Sequence, residues 1–190
     1  MKTLIISLKI FLFFTVLTGI IYPLLITGAA QLIFPSKANG SMIIRGDKTI
    51  GSVLIGQKFD SSIYFSSRPS AVAYNPLPSG GSNFGLTNKK LKKIADSCEK
   101  QFIAFNHLDS RTEIPSEMIF ASASGLDPHI SPGAALLQVD RITEARRFST
   151  IQKQKLVQCI NDLTEPPQFL CLGEERINVL LLNLAADQIK

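Results

Sequence analysis

The sequence predicts an α+β protein, one N-terminal transmembrane helix followed by a small mixed α/β domain with little sheet. Three observations predict it. An uncharged run of 27 residues, Ile10 to Ser36, follows a short basic tail. Between residues 88 and 187, apolar residues recur at helical spacing and are bracketed by capping residues. Only one segment, residues 42–59, carries a hairpin pattern.

The membrane segment comes first. Hydrophobic residues make up 45% of the chain and the mean hydropathy is +0.19. The excess sits in the uncharged run. As a helix that run spans about 40 Å at ~1.5 Å per residue, more than the ~30 Å of a hydrocarbon core. Pro23 lies mid-run, and a hydroxyl such as that of Thr18 can re-satisfy the backbone there. A signal peptide has an apolar stretch of only about 7–15 residues, so this one reads as a retained anchor. Without a cysteine near its end, it is not a lipoprotein signal. Lys2 and Lys9 precede the run, and Lys37, Arg45 and Lys48 follow it. Long following domains translocate largely regardless of charge, so the short basic tail stays inside. The expected organisation is a cytoplasmic tail (1–9), an anchor (10–36) and an extracytoplasmic domain (37–190), single-pass in the cell (inner) membrane.

In the domain, residues 42–59 ("MIIRGDKTIGSVLIGQKF") read as a hairpin turning at Arg45–Lys48. Residues 60–88 are rich in Ser, Gly, Pro and Asn, and a loop of that length is expected to be functional or pinned to a partner. Leu91, Ile94, Ala95, Cys98, Phe102 and Phe105 form one helical stripe over 88–106. Pro115 opens a short helix through Phe120. Ser131 before Pro132 caps a helix expected to run to about Arg147. Ser149 with Gln152 makes a capping box for a helix to about Leu163, which Glu165-Pro166-Pro167-Gln168 ends. Residues 177–187 fit a helical stripe (Ile177, Leu180, Leu181, Leu184) better than a buried strand.

Charge and cysteines exclude more than they assign. Without Lys2 and Lys9, residues 37–190 hold 18 basic and 15 acidic residues, a net of +3. The doublets Lys89-Lys90, Lys92-Lys93 and Arg146-Arg147 fall on helices as solvated faces, and no nucleic-acid stripe is formed. Cys98, Cys159 and Cys171 are either one disulfide plus a free thiol or three buried thiols. No pair has CxxC or metal-knuckle spacing, and Asp127 with His129 offers too few ligands for a metal site.

The stretch 121–135, "ASASGLDPHISPGAA", sets two serines, an aspartate and a histidine close together. A serine hydrolase on Ser124 and His129 is the enzymatic alternative. It lacks the G-x-S-x-G frame, and rigid Pro128 makes Asp127 and His129 diverge. Gly125, Asp127-Pro128 and Ser131-Pro132 each constrain the backbone, so the stretch reads as a rigid corner suited to docking. "PSGGSN" (78–83) and "LIGQ" (54–57) lack the lysine and threonine of a phosphate-binding loop, so no directly bound cofactor is expected.

These blocks in their order resemble one family. They are Gly51-Ser52, Leu54-Ile55-Gly56-Gln57 with Phe59, Tyr64-Phe65, Arg68-Pro69-Ser70-Ala71, Tyr74-Asn75, and Ser79-Gly80-Gly81-Ser82-Asn83. Then follow Ser122 to Ser131, Gln138, Arg141, Arg146, Asn178-Val179-Leu180 and Leu182-Asn183. The chain resembles the C subunit of the Kdp potassium-transporting P-type ATPase over nearly its whole length. Leu86, where the family often has proline, and Phe148, near a usual glycine-leucine pair, depart from the pattern. The resemblance implies a non-catalytic accessory subunit. Its partners would be a potassium-selective channel-like A subunit, a P-type ATPase B subunit and a small F subunit. ATP and potassium would be handled by the complex, the phosphorylated aspartate belonging to the B subunit. The C subunit is described as a catalytic chaperone that raises the B subunit's ATP affinity. The motif residues expected to serve as interface candidates are Gln57, Tyr64, Arg68, Asn75, Gly80, Gly81, Asn83, Ser124, Gly125, Asp127, His129, Asn178 and Asn183.

Overall fold

The structure, a computed structural model, describes residues 1–169 and 171–190. It separates into two compact units, Met1–Ser52 and Val53–Lys190.

The first unit is dominated by one helix, Lys2–Ile33, 32 residues long and apolar enough to cross a membrane. It consists of α1 (Lys2–Val16), a π-helical turn (Leu17–Ile21) and α2 (Tyr22–Ile33). The π turn has a cause in the sequence. Pro23 has no N–H for the Gly19 carbonyl, and the ladder widens just before it, with Tyr22 N–H donating to Leu17 O. Thr18 Oγ1 donates to Phe14 O at 2.7 Å, so the polar side chains here are satisfied within the helix. None of the helix is buried, as suits a lipid or partner environment. After a short α3 (Pro35–Ala38), β1 (Met42–Arg45) pairs antiparallel with β2 (Lys48–Ser52). Gly46, at φ +62°, supplies the left-handed turn residue. The second strand ends at Ser52, short of the expected Phe59. Beyond it the backbone bonds elsewhere: Val53 O accepts from Asn178 Nδ2, and Gly56 N–H donates to Leu126 O.

The second unit packs short helices around one apolar core. Its elements are α4 (Lys89–Phe105), a 3₁₀ turn (Ser116–Met118), β3 (His129–Ile130), α5 (Pro132–Leu136), α6 (Val139–Arg146), α7 (Thr150–Asp162), β4 (Ile177–Asn178) and α8 (Val179–Ala186). Phe65, Ile130, Ile142, Leu156, Ile160, Ile177 and Leu182 form the buried centre. The only sheet among these described residues is the antiparallel pair β3–β4, with Ile130 opposite Ile177. Helix α7 starts at the expected capping box: Gln152 N–H donates to Ser149 Oγ, and Ser149 N–H to Gln152 Oε1. The helix expected over 177–187 spans only Val179–Ala186: Ile177 and Asn178 pair as β4 with β3, and Asn178 caps the helix, its Oδ1 accepting from Leu181 N–H at 3.1 Å.

Three further expectations need correction. The helix opened by Ser131 is two helices, because the chain tightens at Leu137–Gln138, where Gln138 N–H bonds only three residues back to Ala135 O. The break frees the Gln138 side chain for the loop described below. The short helix after Pro115 is a single 3₁₀ turn. The stripe of α4 is only partly covered: Phe102 is its one buried residue, and Ile94 is 47% exposed. Neither cysteine expectation holds: all three are free thiols, but Cys98 and Cys159 are only half-buried and Cys171 is exposed. Burial raises the pKa of Cys98, and burial with the nearby Asp162 charge raises that of Cys159.

Candidate functional site: a side-chain-held loop and a pinned corner

Residues Val53–Asn88 contain neither helix nor strand, yet several of their backbone groups are bonded to the rest of the domain. Buried backbone groups need partners. In the segment 62–66 the partners come from side chains of α6, α8 and the turn between α5 and α6. Asn183 treats Phe65 as a strand neighbour would, its Oδ1 accepting from Phe65 N–H at 2.7 Å and its Nδ2 donating to Phe65 O at 3.0 Å. Gln138 Oε1 accepts from Ser66 N–H at 2.7 Å. Arg141 donates to Ser62 O, Tyr64 O and Asn106 Oδ1, with its guanidinium stacked on the Phe105 ring. Arg146 donates to Ile63 O at 2.7 Å and pairs with Asp187 at 2.8 Å, and Tyr64 Oη donates to the same carboxylate. Burial lowers the Arg141 pKa to about 10, so the group stays cationic at neutral pH. The carbonyls around it replace water as ligands for that charge.

The loop then wraps the corner 121–131 through backbone contacts. Gly56 N–H donates to Leu126 O at 2.7 Å and Gly80 N–H to Ser124 O at 3.0 Å. A Cβ on Gly56 would stand 2.6 Å from Asp127 O, so only glycine permits that approach. Gly125 has φ +70°, and a Cβ there would meet Val72 Cγ2 at 2.6 Å and Gly80 O at 3.0 Å. Ser70 Oγ donates to Gly125 O at 2.6 Å while accepting from Tyr74 N–H. An ion pair closes the arrangement: Arg68 Nη1 lies 2.6 Å from Asp127 Oδ2. Asp127 Oδ1 accepts from His129 N–H at 3.0 Å, and His129 Nδ1 lies 3.3 Å away. Burial alone would raise the Asp127 pKa. The His129 hydrogen bonds and the Arg68 charge outweigh it, so the carboxyl is held below its ordinary value. Tyr74 donates its hydroxyl to Arg68 O. Burial, then the Asp60 charge, pushes its phenol up to about 12.

The structure thus brings most of the candidate residues onto one junction. Arg68, Gly80, Gly81, Ser124, Gly125, Asp127 and His129 meet at the corner, where Gly81 closes on the Ala123 carbonyl. Gln57 joins through its carbonyl, which accepts from Ser67 Oγ. Asn75 and Asn83 are exposed, Asn75 Oδ1 accepting from Leu77 N–H. Asn178 and Asn183 are interior, at 3% and 2% exposure, and hold the chain from within. Tyr64 belongs to the Arg146–Asp187 group. Gln138, Arg141 and Arg146 were not among the interface candidates, but they do most to hold the loop. Arg146 corrects the expectation of a solvated face, its side chain being only 12% exposed; for Gln138 and Arg141 the sequence signal was their place beside Val139 and Ile142 on a predicted helix.

The hydrolase alternative finds no support here. The expected divergence of Asp127 and His129 is not found: Pro128 leaves the imidazole turned to Asp127, Nδ1 lying 3.3 Å from Oδ1. Ser124, however, is exposed and its Oγ accepts from Leu126 N–H, so the serine is not joined to that pair. Among the described residues no cluster of three His, Cys, Asp or Glu side chains is placed to hold a metal. The Gly80 amide is already bonded to Ser124 O, so "PSGGSN" does not present a free phosphate cradle at that amide. What the site does is fix shape: a long irregular loop becomes a defined surface.

Residues 4–188 match the family model described as KdpC: K+-transporting ATPase, c chain. The chain belongs to the KdpC family. A potassium-transporting ATPase KdpC subunit of Photorhabdus laumondii is 45% identical over 186 residues, covering 96% of this chain and 94% of that one. The subunit of the same name from Gemmatimonas aurantiaca is 47% identical over 177 residues, covering 91% and 86%. That of Escherichia coli O9:H4 is 42% identical over 186 residues, covering 96% of each. KdpC membership accounts for the ordered blocks, and their residues are the ones that pin the loop to the corner.

Proposed function

We propose that this chain is the accessory, non-catalytic subunit of a potassium-transporting P-type ATPase, anchored by its N-terminal helix with the domain outside the cytoplasm. It assembles with a channel-like A subunit, an ATP-hydrolysing B subunit and a small F subunit. The supporting observation is the pinned loop. A segment from Val53 to Asn88 without regular structure is held rigid by Gly56, Gly80, Arg68 and Asn183, which suits a preformed docking surface. The polar side chains of this junction are engaged in holding shape rather than arranged around a reacting atom.

On this reading the loop's outer surface meets the channel-like subunit. The chain carries no phosphorylation sequence and no phosphate-binding loop. An effect on the ATP affinity of the B subunit is therefore carried through subunit contacts, as a coupling free energy between distant sites. The test compares the potassium-stimulated ATPase with and without this chain. The expected result is an assembled complex whose ATP KM is lower in its presence. Photolabelling of the isolated full chain by an azido-ATP analogue would overturn the indirect route.

A further inference from the structure

Helix α4 stands partly off the core. A helix with a continuous apolar stripe normally buries it. Here only Phe102, near the C-terminal end, is buried. The N-terminal half of the stripe, Leu91, Ile94 and Ala95, lines an open cavity of about 710 Å³ instead, with Phe84, Ile119 and Phe120 among its other walls. Ile94 is 47% and Phe120 42% exposed. The first turns of α4 carry Lys89, Lys90, Lys92 and Lys93, all exposed; helical spacing sets Lys90 and Lys92 to either side of the apolar stripe that lines the groove, and Lys89 and Lys93 on the far face. Among the described residues none of the four forms an ion pair, although Asp96 and Glu99 lie on the same helix. Four cations at the positive end of a helix dipole are mutually repulsive and are relieved by an external anion.

The groove also has polar walls. Ser70, Ser82, Asn83 and Ser122 line it alongside the apolar walls. That combination suits a peptide, which brings side chains for the floor and backbone groups for the rim, better than an acyl chain. We propose that the groove beneath α4 is a docking site for a polypeptide segment of a partner subunit. That segment presents apolar side chains flanked by carboxylates. The inference rests on the accessory-subunit reading and names the surface and the partner chemistry that reading leaves open. Its loop wall is the same pinned segment, so the rigid corner and the groove form one continuous feature.

The test uses the full chain in detergent micelles and the pump complex purified without it. Affinity is measured at low and high salt for wild type, Ile94→Asp, the double variant Lys90→Glu/Lys92→Glu, and a control, Ile151→Asp, at an exposed apolar position on α7. Ile94→Asp should weaken binding by about tenfold or more, as expected for an interface anchor. The double variant should lose about tenfold at low salt and much of the salt dependence, because rim charges act through screened attraction. Ile151→Asp should stay within about twofold of wild type. Both groove variants binding like wild type would overturn the groove and leave the accessory reading standing. A wild-type chain that fails to bind the pump would overturn both. All the substituted side chains are exposed, and thermal melts of each variant identify any loss of fold. Weaker binding of both groove variants than of wild type to anionic lipid vesicles, with unchanged binding to the pump, would assign the groove to membrane and also contradict the proposal.

Discussion

Replacing Gly125 by alanine should damage the domain more than any change to the polar side chains around it. The residue sits at φ +70°, where a side chain costs roughly 1–2 kcal/mol. Its Cβ would also stand 2.6 Å from Val72 Cγ2 and 3.0 Å from Gly80 O. The valine can rotate, but Gly80 O is backbone, and the neighbouring Gly80 N–H is bonded to Ser124 O. Relieving that overlap moves the loop or the corner, at about 1–3 kcal/mol for an overpacked site. The expected total is about 2–5 kcal/mol. At roughly 4 °C per kcal/mol for a domain of this size, the melting temperature should fall by about 8–20 °C. Differential scanning fluorimetry and urea melts of the full chain in detergent would read it. Ser124→Ala removes one exposed hydrogen bond to Leu126 N–H and should cost about 1 kcal/mol or less. A Gly125→Ala chain within about 0.5 kcal/mol of wild type would refute the claim that loop and corner are locked by backbone contact.

Asn183→Leu should cost about 3 kcal/mol or more, since it strands the buried N–H and C=O of Phe65 together. Equilibrium unfolding checks it, and Asn183→Ser should be intermediate. Asp127 has a folded pKa below its unfolded value, so its contribution is full above the unfolded pKa and is lost as pH falls through the folded one. Asp127→Asn should therefore flatten the acid limb of stability against pH. For Tyr74 the sign is reversed: the folded pKa, about 12, exceeds the ordinary 10.0, so its contribution is full below pH 10 and is lost between about 10 and 12. Alkaline ultraviolet titration should show a phenol transition near pH 12 that Tyr74→Phe removes.

The parts of the fold legible in the sequence were those set by local chemistry. The Ser149–Gln152 box and the Ser131-Pro132 cap each act over a few residues, and each appears where its pattern lies. The apolar helix covers most of the uncharged run but spans Lys2–Ile33, taking in residues expected as a tail. The illegible parts depend on partners distant in the chain. Nothing local to Gln138 announces that its side chain bonds Ser66, 72 residues away, and this contact accompanies the split of one expected helix into two. The hairpin similarly stops at Ser52 because the next residues bond Leu126 and Asn178. At the corner, Gly125 takes the left-handed conformation and Pro132 opens a helix as their residue types suggest, but the sequence could not show that Gly56 and Gly80 supply the opposing backbone. The polar residues looked like a constellation because Ser124, Asp127 and His129 are close in sequence. In space Asp127 turns to Arg68 and leaves Ser124 apart.

Co-purification from membranes tests the central claim most directly. The tagged full chain is extracted from potassium-limited cells in mild detergent, and the associated proteins and ATP hydrolysis are measured together. The account predicts recovery of a P-type ATPase and a channel-like membrane subunit in fixed ratio, with hydrolysis stimulated by potassium and absent from the chain alone. Recovery of the chain without any ATPase, together with labelling of Ser124 by a fluorophosphonate probe, would contradict it.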